Sequence, residues 1–247
     1  MPTFVSLFPG WTQHVLSRAK ILVAPSTFLP RALRPYGWQV RVIPNAIDIS
    51  QYPFRHRQTV SPALLWMRSF YPYYNPEMAV RVLARLRDWY PSASLVMAGK
   101  DKGFQSQIIH SADVLGLAGN VHFPGFLEFA EKIQAYDQAD IFISTNSVDN
   151  TPVSILEAWA MGLPVVSTAN GGIADLVKDG ETGLLIPDDD DAAMARAIRE
   201  LVETPGLAER LARQGREHVK GFSWEVIQPQ WEAIFREVLP EPRNGTF

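Results

Sequence analysis

The stretch S-T-N-S-V-D-N-T-P-V-S-I-L-E-A-W-A-M-G-L-P-V-V-S-T, residues 144–168, reads as strand, loop, helix, turn and strand. A strand ends near Ser144 and a polar loop follows. Thr151-Pro152 then offers an N-cap with proline at the first helical position. The helix is expected from Val153 to Met161, and Gly162 suits a left-handed C-terminal cap. Val165–Ser167 resumes the sheet at once, as in a parallel sheet wound by crossover helices.

The helix body VSILEAWAM is apolar nearly all round, which implies burial between the sheet and neighbouring helices. Glu157 is the exception, and a lone buried carboxylate costs several kcal/mol unless something pairs with it. Residues 153, 154 and 157 share a helix face, and side chains lean back towards the N-terminus. That face offers the free amides of a first turn to an anion and a carboxylate further along. Thr151 to Glu157 spans about 9 Å of axial rise, comparable to the reach from a phosphate to a ribose. Asp149 stands in the loop before the cap. A nucleotide diphosphate sugar needs these parts. The blander reading, a solvated glutamate and a turn-forming aspartate, fits each residue singly but not the apolar surroundings of Glu157.

Outward from this unit the same alternation recurs. Strands are expected at Ile21–Ala24, Val40–Ile43, Leu64–Met67, Leu95–Ala98, Val121–Phe123, Ile141–Ser144 and Leu184–Ile186. Helices are expected at Pro76–Trp89, Gly103–Leu115, Ala130–Ala139, Ile173–Val177 and Asp190–Glu203. Leu207–Val219 and Trp224–Leu239 close the chain, the last interrupted at Pro229. Met78, Val82, Leu83, Leu86 and Trp89 form one stripe. The fold class is thus α/β, a Rossmann-like doubly wound parallel sheet.

Residues 49–62, proline-rich and without periodicity, read as a linker. Before it, 1–48 holds too little for an independent α/β domain and reads as the end of another one. After it, 63–225 makes one complete domain, and 226–247 a terminal helix packing back towards the N-terminal part.

The 247 residues carry a net charge of −3, which argues against nucleic acid or an anionic membrane as main partner. No cysteine is present, which removes disulfides, thiol nucleophiles and cysteine metal sites. Five scattered histidines lack ligand spacing, and His14 reads as a surface helix residue. No apolar run has the length of a membrane span, so a cytoplasmic location is the default. Asp188–Asp191 match the acid preference of a helix start rather than a metal site. GKDKG (99–103) is neither a P-loop nor a dinucleotide fingerprint. Gly171-Gly172 permit either a plain turn or a close approach. The spread of the tryptophans favours core packing over a carbohydrate platform.

The D-x7-E spacing of Asp149 and Glu157 resembles the E-x7-E signature of retaining family 4 glycosyltransferases. VIPNAID (42–48), LLWMR (64–68), LVMAGKDKG (95–103), VHFPGF (121–126), EAWAMGLPVVST, NGGIADLV and DGETGLLIPDDD resemble that family's motifs in the same order. The likeness covers residues 20 to 240 and implies the C-terminal, donor-binding half of a GT-B fold plus a remnant of its N-terminal domain. It implies that Arg68 contacts the donor diphosphate and that Asn150, Thr151, Pro152, Val153 and Ser154 form the phosphate-binding turn. Glu157 would hold the ribose and Asp149 the transferred sugar. The backbone near Phe126 would meet the base, with Gly99 and Lys100 forming a loop over the donor. The implied reaction is retaining transfer of a hexose from a nucleotide diphosphate sugar to a glycan or lipid acceptor, without cofactor or divalent metal.

Two departures qualify it. Where the family has Arg-x4-Lys-Gly, this chain has RSFYPYYNPE, with Tyr74-Asn75 in place of Lys-Gly; Lys100 or Lys102 could substitute. Nearly all of the N-terminal, acceptor-side domain is absent. The alternative is therefore a non-catalytic nucleotide-sugar-binding protein or one subunit of a split enzyme, partnered by a separate N-terminal domain. A GT-B-like epimerase or phosphorylase is disfavoured by the D-x7-E signature.

Overall fold

A computed structural model describes residues 7–239. Residues 1–6 of the N-terminal piece and 240–247 of the terminal segment lie outside the described residues. The first unit comprises α1 (Pro9–Leu16), β1 (Leu22–Ala24), α2 (Phe28–Leu33) and β2 (Val40–Val42), with β1 and β2 paired in parallel.

The second unit alternates strand and helix up to its last strand and ends in three successive helices. It runs β3 (Ala63–Met67), α3 (Pro76–Arg87), β4 (Ser94–Ala98), α4 (Gln105–Val114), β5 (Val121–Gly125), α5 (Phe129–Gln138) and β6 (Ile141–Ser144). It continues with α6 (Val153–Ala160), β7 (Val165–Thr168), α7 (Ile173–Leu176), β8 (Leu184–Ile186), α8 (Asp191–Glu203), α9 (Leu207–Val219) and α10 (Trp224–Val238). The six strands are parallel in the order β5-β4-β3-β6-β7-β8. The chain therefore reverses its winding direction between β3 and β6. In sheets of this kind the crevice beyond the strand ends at that point is the ligand site.

Period-two alternation divides the core between the two faces. Leu64 and Trp66 of β3 join Met78, Val82 and Leu86 of α3 and Met194 and Ile198 of α8. Leu65, between them, faces Tyr136 of α5 and Ile155 and Trp159 of α6. Each large side chain buried this way contributes about 1.5–3 kcal/mol. Of the expected α3 stripe only Trp89 differs: it lies beyond the helix end, 40% exposed, beneath the Arg199 guanidinium.

The segment 49–62 is pinned rather than free. Tyr52, Arg57 and Val60 are buried. Arg57 donates to the carbonyls of Tyr136 and Ala139 at the end of α5 and of Met161 at the end of α6. The helix-end carbonyls lack intrahelical donors, so one guanidinium satisfies two helix termini. Burial and the nearby Arg55 lower its pKa to about 10, still charged at neutral pH.

Helix α10 packs back on the first unit through Ile227, Ile234 and Trp231 against Ile43, Ile21 and Val23. It is continuous through Pro229, against the interruption expected there. The proline deprives only the carbonyl four residues earlier, on exposed Glu225 in the first turn, where water can replace the lost bond.

Candidate functional site

Arg68 follows β3, Gly99 and Lys100 follow β4, and Phe126 follows β5, so the strand order collects them at one end of the sheet. The loop after β6 brings Asp149, and α6 brings Val153, Ser154 and Glu157. A cleft of about 410 Å³ is lined by Arg68, Gly99, Lys100, Phe126, Lys132, Val153, Ser154 and Glu157, among others; Asp149 lies outside this lining and reaches it through its ion pair with Arg68.

Glu157, 6% exposed, is heavily partnered. Tyr136 donates to Oε2 at 2.9 Å and Tyr52 to Oε1 at 3.1 Å, while the Lys132 ammonium forms an ion pair with Oε1. Burial, and then the Glu157 charge, raises the pKa of both tyrosines, so both remain donors. This answers the cost of a charge in an apolar helix: the carboxylate is held by three donors, two of them neutral. It also leaves little capacity for a ligand until Lys132, on the cleft wall, turns away.

Arg68 forms an ion pair with Asp149. Its guanidinium lies 4.5 Å from the centre of the Tyr74 ring, a cation–π contact. Tyr74, which stands where a second cation was expected, thus orients the first one instead. Burial lowers the Arg68 pKa, opposed by Tyr74, Tyr136 and Glu157. Asp149 also accepts from the amide of Asn150 and the side chain of Asn146. Lys100 lies 4.7 Å from the centre of the half-exposed Phe126 ring. Gly99 sits against Arg68 so closely that a Cβ would overlap its carbonyl oxygen.

Two buried polar atoms of the cleft, Ser154 Oγ and Arg68 Nε, have no hydrogen-bond partner. Buried donors left unpaired in a native fold mark a place where a ligand or water completes the network. They stand at the start of α6, where first-turn amides and the helix dipole favour an anion.

Thr151 is not the N-cap. Pro152 occupies that position, and the Thr151 hydroxyl donates to the Pro25 carbonyl. The local capping preference is overridden because the first unit docks here: Ser26 bonds to Asn150, and Asn45 donates to the Thr151 carbonyl. The side chains of Asn150 and Thr151 are therefore spent on structure, and Asn150, Thr151 and Pro152 lie outside the cleft lining. Gly162 does adopt the left-handed cap, with φ of 78°. Gly171 and Gly172 make a close approach: a Cβ on either would overlap the carbonyl oxygens of Asp149 or Asn150. The acid run behaves as a helix start, with Asp190 capping Ala193 and Asp191 paired with Arg81 and Arg85.

A larger groove of about 1180 Å³ lies at the opposite, C-terminal end of α6. Three of its cations are committed: Arg216 to the Ala160 carbonyl, Arg210 to that of Gly180 and Lys220 to Glu217. The negative end of α6 also disfavours an anion there. Among the described residues no helix is long and apolar enough to cross a membrane.

Comparison with known proteins identifies the family and the fold. Residues 51–218 match the model of the family described as glycosyl transferases group 1. A glycogen synthase of Mycobacterium tuberculosis is 28% identical over 213 residues, covering 83% of this chain and 51% of that protein. The lipopolysaccharide core biosynthesis glycosyltransferase LpsE of Rhizobium meliloti is 32% identical over 200 residues, covering 77% and 56%. The chain thus spans about half the length of these curated relatives. In fold it resembles the sucrose-phosphate synthase of Thermosynechococcus elongatus, with a TM-score of 0.79 at 24% identity over 89% of this chain and 58% of that one. It equally resembles HepE of Anabaena, solved in complex with UDP, with a TM-score of 0.79 at 20% identity over 89% and 64%. The fold is that of its GT-B structural neighbours, and the chain belongs to the glycosyl transferases group 1 family.

Proposed function

We propose that this chain carries the donor site of a retaining family 4 glycosyltransferase that takes a hexose from a nucleotide diphosphate. The observation that carries this reading is the pairing of unpartnered Ser154 Oγ and Arg68 Nε with the start of α6, at the reversal point of the sheet. The diphosphate sits against the amides of Val153 and Ser154 and the Arg68 guanidinium. Glu157 accepts from the ribose hydroxyls once Lys132 swings aside, and Phe126 stacks with the base. Asp149 takes the hydroxyls of the transferred sugar.

Catalysis on this reading is electrostatic. The departing diphosphate gains negative charge as the sugar–phosphate bond breaks. Arg68, Lys100 and the helix-end amides gather at one end of the sheet and offset that charge. No divalent metal is required. The acceptor, a glycan or lipid hydroxyl, attacks the anomeric carbon on the face the diphosphate leaves and gives its proton to the departing phosphate oxygen, so the configuration is retained.

Calorimetric titration with UDP, GDP and ADP sugars tests the donor reading; a folded chain that binds none of them would sink it. The second reading, donor binding without transfer, is favoured by Tyr74 standing where a phosphate-neutralising lysine was expected. It fails if the isolated chain transfers sugar to an acceptor.

A further inference from the structure

The loops after β3 and β4 wall the donor cleft through residues 67–69 and 98–100, and the same two loops run on to wall a second, smaller pocket. This pocket, about 270 Å³, is bounded by Pro72, Asn75, Glu77, Phe104, Gln107 and Ile108, among others. Phe104 and Ile108 give it an apolar wall. Glu77 and Gln107 give it a carboxylate and an amide. One carboxylate oxygen of Glu77, Oε2, is buried without any hydrogen-bond partner. A buried carboxylate oxygen with no donor is costly, and a ligand hydroxyl is the donor that would relieve it.

Two further rings extend from Phe104. Tyr71 meets Phe104 edge-on at 5.5 Å and Tyr73 at 5.2 Å, with Tyr73 60% exposed. Exposed rings on a loose loop would make a poor recognition surface, but this loop is fixed. The Ser147 amide donates to the Tyr73 carbonyl at 2.9 Å, and Thr145 donates to those of Tyr74 and Asn75. Asn75 is further tied to Asp189. The preorganised combination of ring faces, one hydroxyl-seeking carboxylate and one amide matches a pyranose, whose apolar face and equatorial hydroxyls need both kinds of contact. The volume admits a single ring.

We infer that this pocket is a carbohydrate subsite that holds one neutral pyranose unit of the acceptor, with Phe104 against the ring face and Glu77 accepting from its hydroxyls. The inference rests on the donor-site reading only in calling the sugar an acceptor unit. The negative charge of Glu77 excludes acidic sugars.

Saturation-transfer NMR on the intact chain tests this, with methyl α-D-glucopyranoside, methyl α-D-mannopyranoside, methyl α-D-galactopyranoside and N-acetylglucosamine as probes and glucuronic acid as contrast. At least one neutral sugar is expected to bind and glucuronic acid is not. Phe104→Ala and Glu77→Gln should each weaken that sugar about tenfold, and the exposed Gln107→Ala about threefold, without change in UDP affinity. Gln107→Ala covers the case in which Phe104→Ala unfolds. UDP binding with no neutral sugar bound, up to the solubility limit, overturns the subsite and leaves the donor reading standing. Sugar binding that the three variants leave untouched also overturns it. Sugar binding lost in these variants, in a chain that binds no nucleotide, supports the subsite and removes the donor reading. An apolar dye held in the pocket and displaced by none of the sugars would overturn the assignment in favour of a hydrophobic partner.

Discussion

The Tyr52 hydroxyl donates to Oε1 of Glu157 across 105 positions of sequence, at 3.1 Å. A residue of the segment entering the second unit thereby touches the carboxylate at the heart of the cleft. Tyr136 and Lys132 complete the set around that carboxylate.

Glu157→Gln is expected to weaken nucleotide-sugar binding by about 1–3 kcal/mol, the worth of a charge-assisted hydrogen bond. The variant also leaves the Lys132 ammonium without its ionic partner. Calorimetry on parent and variant checks this, and equal affinities would remove Glu157 from the donor contacts.

Arg57→Ala should lower stability by at least about 3 kcal/mol, because it strands buried carbonyls at the ends of both α5 and α6. Urea denaturation gives the number. Arg57→Lys, with one ammonium in place of a planar fork, should recover only part of it. A loss under 1 kcal/mol would show that water reaches those carbonyls.

Gly99→Ala forces a Cβ onto the Arg68 carbonyl, at a cost of about 1–3 kcal/mol, and it displaces Arg68 from the cleft. Nucleotide affinity should fall with stability. Gly116→Ala is the control: it has open space around it and φ of 69°, so only the backbone penalty of about 1 kcal/mol applies. If the control lost nucleotide affinity to the same extent, the contact between Gly99 and Arg68 would not be the cause.

His218 packs edge-on against Trp159 and Phe222, and its burial, then Lys178, lowers its pKa below 6.5. Its native state favours the neutral ring, so the unfolded chain binds the extra proton first. The contribution is fully present above 6.5 and is lost as pH falls through the depressed native value. Melting temperatures should decline between about pH 7 and about pH 5, and His218→Gln should flatten that part of the curve. An identical slope in the variant would assign the loss to carboxylates.

Treatment with a chelator should leave nucleotide-sugar affinity unchanged, since Arg68, Lys100 and Lys132 all line the cleft and supply the positive charge. Titration in the presence and absence of a chelator decides it. A tenfold loss that added magnesium restores would assign the diphosphate to a metal.

The strands were legible because short apolar runs such as Ile141–Ser144 and Leu184–Ile186, bounded by polar or turn-forming residues, are too short for a helix. Helix α6 was legible because no polar residue but Ser154 and Glu157 interrupts it. The isolation of Glu157 flagged a partner without naming it. Lys132, Tyr136 and Tyr52 lie 25, 21 and 105 positions away, and only the strand order brings them together. Thr151-Pro152 misled for the opposite reason. A sound local rule for capping lost to a tertiary bond with Pro25. Tyr74 was legible as a departure, but its packing beneath Arg68 depends on how the loop folds back.

The stitching of Pro25, Ser26 and Asn45 to Asn150 and Thr151 makes the Asp149 loop a shared joint of both units. If the first unit tilts against the sheet, the tug passes along one peptide into the carboxylate facing Arg68. Motion of the first unit is thus geared to the Asp149–Arg68 ion pair, and a fragment beginning at residue 49 would run with that gear disengaged.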